Sequence, residues 1–129
     1  LVEWIAFGFW ILAFLGESLA DFQLESFKRN PASKGKTCRK GLWNYSRHPN
    51  YFFESQIWVS YALFALVSPY GYIAVICPLA ILYFLFYKTG IPKTEEQAVK
   101  SRGQDYIDYQ QTTSIFVPWF PKKNFKSGV

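Results

Sequence analysis

One short stretch of the chain carries a high density of polar groups for its surroundings. From Gly41 to Glu54 the sequence reads GLWNYSRHPNYFFE, which places Arg47, His48 and Asn50 at the start of an apolar segment. His48 is the only histidine in the chain. A charge at the centre of a membrane helix costs roughly 2.5–3.5 kcal/mol on insertion scales. Polar residues kept beside such a segment therefore indicate that something polar is bound there.

The type of ligand follows from the residue after His48. Pro49 suits the first turn of a helix, because its missing N–H would have no partner there. That helix would aim free backbone N–H groups and the positive end of its dipole toward Arg47, a combination that binds phosphate. Asn50 and Glu54, four residues apart, would share one helix face. The structural alternative is a snorkelling Arg47, a capping His48 and a hydrogen bond between Asn50 and Glu54.

A second polar group lies at the end of the first apolar segment. At 100° per residue, Glu17, Asp21 and Lys28 fall within about 40° of one another on a helix. The alternative interpretation is a solvated helix end. Like charges four residues apart destabilise an isolated helix mildly. We therefore favour a ligand or basic partner that offsets the repulsion between Glu17 and Asp21.

The hydrophobic pattern predicts an all-α fold. Half of the residues are hydrophobic and 21% are aromatic. Three apolar segments, at about 2–19, 52–67 and 72–87, approach the ~20 residues that cross a bilayer. Ser68–Gly71 reads as a turn between the second and third. We therefore expect an integral membrane helical bundle with about three transmembrane helices and a short interfacial C-terminal helix.

The distribution of positive charge predicts the topology. Of the 14 lysines and arginines, seven lie between Asp21 and Asn50, seven lie from Lys88 onward, and none lies in the Ser68–Gly71 turn. By the positive-inside rule, both basic regions are cytoplasmic and the turn is on the other side. A buried helical hairpin in a soluble protein would not explain this asymmetry.

The C-terminal part should carry the interfacial helix. The Thr-Glu-Glu-Gln sequence at 94–97 fits a capping box and predicts a helix ending near Arg102, with a break at Gly103. Beyond the break, an aromatic stripe is expected to lie on the membrane surface. Its members are Tyr106, Tyr109 and Phe116.

Several chemistries find no support in the sequence. The connector at 30–40 is expected to be a flexible loop. Cys38 and Cys77 are expected to be free thiols, and with one histidine no zinc ligand set can be assembled. Neither a G-x-G-x-x-G nor a Walker A motif occurs, so any nucleotide would be held outside a Rossmann or P-loop framework.

Together the motifs resemble a known group of membrane proteins. They are GLW at 41–43, SRHPNYF at 46–52 with Glu54, TGIP at 89–92, YxxY at 106–109 and TSxFxPWFP at 113–121. This set resembles the uncharacterised branch of the steroid 5α-reductase-like superfamily, which also includes isoprenylcysteine carboxyl methyltransferases. Residues 1–129 would then form a single C-terminal membrane domain, expected to be part of a longer protein.

The resemblance implies an NADPH-dependent reductase that reduces a carbon–carbon double bond conjugated to a carbonyl in a lipid or steroid-like substrate. Glu17 and Asp21 would lie near the nicotinamide, and Lys28 and Arg47 near phosphates. Phe53 stands where the family has glycine, which predicts looser helix packing there. The cofactor-binding residues carried over are Glu17, Asp21, Lys28, Arg47, His48, Asn50, Tyr51, Glu54 and Tyr106.

No catalytic residue is assigned, because the groups that polarise the enone in the reductases come from helices N-terminal to this region. Two alternatives remain. One is an S-adenosylmethionine-dependent lipid or isoprenylcysteine methyltransferase, in which Glu95 and Glu96 would matter for the amino-acid end of the cofactor. The other is a non-catalytic membrane scaffold or lipid-binding protein. The phosphates of NADPH require several basic contacts, so the basic connector favours the reductase.

The expected partners are the lipid bilayer and a lipid or steroid-like small molecule, and no nucleic acid. The membrane would be that of the endoplasmic reticulum in a eukaryote or the inner membrane in a bacterium.

Overall fold

Helices make up the regular structure of this computed structural model, which describes residues 1–122. There are five α-helices: α1 (Val2–Arg29), α2 (Pro49–Ala65), α3 (Ile76–Tyr87), α4 (Ile91–Arg102) and α5 (Gln104–Thr112). Short 3-10 helices occupy Pro31–Ser33, Gly41–Asn44 and Gly71–Val75. Within residues 1–122 there is no strand, so the all-α prediction is confirmed there.

Two helical segments are long and apolar enough to cross a membrane. They are Val2–Arg29 and Gly71–Arg102, with mean hydropathies of 1.5 and 1.8. Helix α2, with 17 residues, lies between them in the chain and is not one of the two. Two of the three predicted segments therefore have the length and composition of a membrane span.

Helices α1 and α2 form the most extensive contact in the fold. Ala6, Ala13 and Ala20, which are spaced seven residues apart, form a buried stripe of small side chains along α1. Gly16 accommodates the ring of Phe53, since a Cβ at Gly16 would lie 2.5 Å from that ring. The looser packing predicted at Phe53 is therefore wrong, because the missing side chain at Gly16 provides the room.

The connector and the C-terminal residues meet at one end of the helices. The Arg47 N–H donates to the Ser114 carbonyl at 2.8 Å, and the Trp119 N–H donates to the Tyr45 carbonyl at 3.0 Å. The Ser46 hydroxyl donates to the Phe116 carbonyl at 2.6 Å. We call this assembly of residues 30–48, α4, α5 and residues 113–122 the polar layer.

The connector is more ordered than its composition predicts. The Thr37 N–H donates to Oδ2 of Asp105 at 2.7 Å, and Nη2 of Arg39 donates to the Asp105 carbonyl at 3.3 Å. The thiol-bearing Cys38 between them is buried. The expectation of a flexible loop is therefore wrong for its second half, which long-range hydrogen bonds fix to α5.

The aromatic stripe does not lie on a surface. Tyr106, Tyr109 and Phe116 are only 3%, 1% and 6% exposed. Their rings pack inside the protein, with Phe116 against Phe52 and Phe86. The expectation of a membrane-surface stripe is therefore wrong, because a buried face and a membrane-facing face have the same helical spacing.

The start of α4 also differs from the prediction. The helix begins at Ile91, so Thr94 lies inside it and donates its hydroxyl to the Gly90 carbonyl at 2.8 Å. The predicted capping box is therefore absent. The end at Arg102 and the break at Gly103, whose φ is 57°, are confirmed.

Candidate functional site

A cavity of about 250 Å³ lies inside the polar layer, between the end of α1, the start of α2 and helices α4 and α5. We call it the inner cavity. Pro49 begins α2, as predicted, and this sets Arg47 and His48 at the helix N-terminus beside the cavity. Its polar lining residues are Lys28, Thr37, Arg47, His48, Asn50, Tyr51, Thr94, Arg102, Tyr106 and Tyr109.

A nearly buried ionic cluster borders the inner cavity. The Arg47 guanidinium forms an ion pair with the Glu95 carboxylate, and their side chains are 11% and 13% exposed. Nε of Arg47 also donates to the Thr113 carbonyl at 3.2 Å. The Tyr106 hydroxyl donates to Oε2 of the same carboxylate. The charge on Glu95 is thereby compensated, as a charge removed from water requires.

His48 and Thr37 each present an unsatisfied polar atom. Within residues 1–122, the buried side-chain atoms without a hydrogen-bond partner are Nε2 of His48 and Oγ1 of Thr37, and both residues line the inner cavity. Nε2 of His48 lies within ion-pairing distance of Glu95, 3.2 Å from its Oε2, although the angle is not that of a hydrogen bond. Buried polar atoms are nearly always paired. Two unpaired atoms in one cavity indicate a polar ligand or water.

The two buried tyrosines act as neutral donors. Burial raises the pKa of Tyr106, and its hydrogen bond to Glu95 raises it further. Burial likewise raises the pKa of Tyr109, whose hydroxyl contacts the carbonyls of Trp43 and Ser46. Both hydroxyls keep their protons at neutral pH, so they fix the neighbouring acceptors and do not act as bases.

A second cavity, of about 480 Å³, adjoins the first on the side of the connector. We call it the outer cavity. The two cavities share Leu24, Lys28, Cys38 and Arg102 as lining residues. Among the residues that the structure describes, no carboxylate lines either cavity. The cationic side chains that line them are Lys28, Lys34, Lys36, Arg47 and Arg102.

The structure brings six of the nine predicted site residues together. The residues that line the inner cavity are Lys28, Arg47, His48, Asn50, Tyr51 and Tyr106. Glu17, Asp21 and Glu54 line neither cavity. Glu17 and Glu54 instead belong to α1 and α2, the two helices that form the most extensive contact in the fold. Their assignment to the nicotinamide end and to polar groups of the cofactor stays a prediction.

Sequence reasoning gave too little weight to Glu95. It considered this residue only for a methyltransferase, whereas the structure places it at the centre of the ionic cluster. The helical period would have found it, because Ile91, Glu95, Ala98 and Arg102 recur at intervals of three or four along α4. Ile91 and Ala98 are buried, while the neighbouring Glu96 is exposed.

Both cysteine thiols are free, and Cys38 lines both cavities. Cys38 is a buried free thiol and Cys77 an exposed one, as predicted. Over residues 1–122, no group of three or more histidine, cysteine, aspartate or glutamate side chains is arranged to hold a metal ion.

The fold and the site define an all-α protein with two apolar helical segments and a cation-lined polar cavity at their end. Residues 1–113 match the family described as protein of unknown function (DUF1295), and the chain belongs to that family. The family is one of the steroid 5α-reductase-like group. No curated protein and no solved structure matches the chain.

Proposed function

We propose that this chain forms the cofactor-binding part of an NADPH-dependent membrane oxidoreductase that reduces a conjugated carbon–carbon double bond of a lipid or steroid-like substrate. In this proposal α1, α2 and α3 cross the bilayer and the polar layer lies on the cytoplasmic face. The membrane is that of the endoplasmic reticulum in a eukaryote or the inner membrane in a bacterium.

The observation that carries the proposal is the charge of the two adjoining cavities. Five cationic side chains from α1, residues 30–48 and α4 converge on them. Glu95 compensates Arg47, and no carboxylate among the described residues lines the cavities. Clustered like charges repel one another, so such a lining is favourable when an anion is bound. A dinucleotide with a pyrophosphate and a 2′-phosphate supplies several negative charges at separated points.

The polar atoms of the inner cavity fit the same ligand. Nε2 of His48 and Oγ1 of Thr37 lack partners, and Asn50 and Tyr51 add polar groups beside them. Lys28 and Arg47 would hold phosphates, and His48 would orient the cofactor. When bound, NADPH supplies the hydride, while the chain supplies placement and exclusion of water.

The acidic residues support the reductase over the methyltransferase. The Glu95 carboxylate is already engaged by Arg47 and Tyr106. Glu96 is exposed and pairs with Lys100 at 3.2 Å. Neither carboxylate lines the two cavities, so neither is placed there to hold the amino group of S-adenosylmethionine, which carries no phosphate and has a positively charged sulfonium.

The exposed apolar surface supports membrane insertion. Only 17% of the apolar window of each long helical segment is buried. Large side chains such as Trp4, Leu12, Ile76 and Leu79 are 74%, 69%, 63% and 61% exposed. Apolar surface of this extent is stable in contact with lipid.

The test compares three ligands by thermal unfolding of the intact protein in detergent. A ligand that binds only the folded state stabilises it by about 2.7 kcal/mol at a hundredfold excess over Kd. NADPH should raise Tm most, NADH less and S-adenosylhomocysteine little. Stabilisation by S-adenosylhomocysteine alone would favour the methyltransferase, and no effect from any of the three would favour a scaffold.

A substitution in the cavity lining tests whether NADPH stabilises the protein by binding in these cavities. Lys28 is exposed and lines both of them, so Lys28→Gln should leave the Tm of the free protein unchanged and reduce the shift caused by NADPH. Lys93→Gln removes an exposed lysine that lines neither cavity and is the matched control. Equal NADPH shifts in both variants would contradict binding in these cavities.

A further inference from the structure

The outer cavity has a composition of its own. Its four cations come from separate parts of the chain: Lys28 from the last turns of α1, Lys34 and Lys36 from the connector, and Arg102 from the last turn of α4. The remaining polar lining is neutral, with Asn30, Ser33 and Ser101. Four positive charges around one cavity match a ligand group with more than a single negative charge.

The connector lysines lie between a local turn and a long-range hydrogen bond. In the turn, Oδ1 of Asn30 accepts a hydrogen bond from the Ala32 N–H at 3.0 Å. Beyond the lysines, the Thr37 N–H donates to Oδ2 of Asp105 at 2.7 Å and so fixes this end of the segment to α5. The long-range bond holds Lys36 close to the cavity, which lowers the entropy cost of binding an anion there.

Arg102 is oriented on the opposite wall. Its guanidinium carbon lies 5.2 Å from the centre of the Tyr106 ring, within the range of a cation–π contact. Asp105, the nearest acidic residue in sequence, already accepts the Thr37 N–H with its carboxylate. Arg102 is thus placed by an aromatic ring, and within residues 1–122 it forms no ion pair that would compete with an anion.

The direction in which a dinucleotide would lie follows from the position of the two cavities. A lipid or steroid-like substrate approaches from the bilayer, so the nicotinamide must lie toward the transmembrane helices. The inner cavity is at the start of α2, whereas the outer cavity is at the connector, away from that helix. The end of the dinucleotide farthest from the nicotinamide therefore lies in the outer cavity.

We infer that the outer cavity is a phosphomonoester subsite, which binds the 2′-phosphate of NADPH, and that Lys34 and Lys36 set the preference for NADPH over NADH. This inference rests on the proposed function. The headgroup of a phosphatidic acid presents the same dianion, and the experiment separates the two sources.

The experiment measures dissociation constants of the intact protein in detergent for four soluble ligands: NADPH, NADH, 2′,5′-ADP and 5′-AMP. The wild type is compared with Lys34→Gln/Lys36→Gln. Both lysines are exposed, so the fold should tolerate the change. Lys93→Gln/Lys100→Gln removes two exposed lysines that line neither cavity, and it is the control for net charge. A fifth arm adds dioleoylphosphatidic acid to the detergent.

The wild type and the control should prefer NADPH over NADH by roughly tenfold or more, the effect of one charge-assisted contact. They should prefer 2′,5′-ADP over 5′-AMP by a similar factor. The Lys34→Gln/Lys36→Gln variant should lose both preferences, while its affinity for NADH changes little. The preference should also fall as salt rises.

Three results would overturn the subsite. An unchanged NADPH preference in Lys34→Gln/Lys36→Gln would do so and would leave the cofactor proposal standing. Equal binding of NADPH and NADH by the wild type would overturn the subsite and would reduce the cofactor proposal to a dinucleotide site without preference for NADPH. Phosphatidic acid that binds through these lysines, with neither dinucleotide bound, would overturn both proposals and assign the cavity to a lipid headgroup.

Discussion

Arg47 at the start of α2 and Glu95 in α4 form an ion pair although they are 48 residues apart in the chain. The whole of α2, the turn and α3 lie between them in sequence. The pair therefore joins the two ends of a helical hairpin. It also fixes the guanidinium at the wall of the inner cavity.

Removing the Glu95 charge should destabilise the protein. Glu95→Gln leaves Arg47 as a nearly buried cation without its partner, and breaking such a pair costs about 3–5 kcal/mol. We expect a loss of this order in the free energy of unfolding, measured by denaturant in detergent. Glu96→Gln, which changes the exposed neighbour, should stay within about 0.5 kcal/mol.

A double-mutant cycle with Arg47→Gln tests the origin of this loss. If the two side chains stabilise the fold mainly through each other, Arg47→Gln/Glu95→Gln should lose less stability than the sum of the single variants. Additive losses would mean that the pair is not the source of the effect.

The contact between α1 and α2 should be sensitive to a single methyl group. Gly16→Ala would place a Cβ 2.5 Å from the Phe53 ring, and overpacking of this kind typically costs 1–3 kcal/mol. Gly8→Ala, in the same helix, would meet nothing within 4 Å and should not lower the thermal stability.

Removing the Phe53 ring should relieve the clash caused by Gly16→Ala. Phe53→Ala removes the ring, so adding it to Gly16→Ala should recover part of the lost Tm. A double variant that is less stable than either single variant would show that the destabilisation by Gly16→Ala does not come from a clash with the Phe53 ring.

The buried tyrosines predict a loss of stability in alkaline solution. The pKa values of Tyr106 and Tyr109 are raised in the folded state, so their contribution is complete below the unfolded value of about 10 and is lost above it. Each should add about 1.4 kcal/mol per pH unit to the decline in unfolding free energy above pH 10. Tyr106→Phe and Tyr109→Phe should each flatten this slope by that amount.

The exposed tyrosines provide the control for this measurement. Tyr70 is 73% exposed, so Tyr70→Phe should leave the slope between pH 9 and 11 unchanged. An equal slope in the wild type and both buried-site variants would contradict the neutral-donor role.

Topology can be tested by labelling single cysteines in sealed vesicles. With Cys38 and Cys77 replaced by serine, Lys34→Cys and Ser68→Cys should react with an impermeant thiol reagent from opposite sides. Lys34 belongs to the polar layer, and Ser68 lies in the turn beyond the far end of α2. Reaction of both from the same side would contradict the placement of three transmembrane helices.

Much of the fold was predictable because periodicity and helix-ending residues act locally. Pro49 marked the start of α2, and Arg102 with Gly103 marked the end of α4. The apolar pattern identified the helices, although α1 continues beyond Leu19 to Arg29. Beyond Leu19 the side chains become polar while the backbone hydrogen bonds of the helix continue. A segment defined by hydropathy therefore ends before the helix does.

The part that could not be predicted depends on contacts across the chain. The helical period places Glu95 on the buried face of α4, but it does not show that Arg47 and Tyr106 lie beside it. The order of the connector likewise depends on Asp105, which accepts the Thr37 N–H from 68 residues away. Local spacing can show which side of a helix is buried, but it cannot show which distant residue pairs with it.

The backbone hydrogen bonds from Arg47 to Ser114 and from Trp119 to Tyr45 set the order in which the protein can assemble. A ribosome that has released only α1 and α2 has produced all three lysines of the outer cavity but none of its α4 wall, so the cavity is still open on one side. The walls close only after α3 has turned back and α4 and α5 have packed against the connector. Neither cavity therefore exists as a binding surface until more than half of the chain that follows the connector has folded.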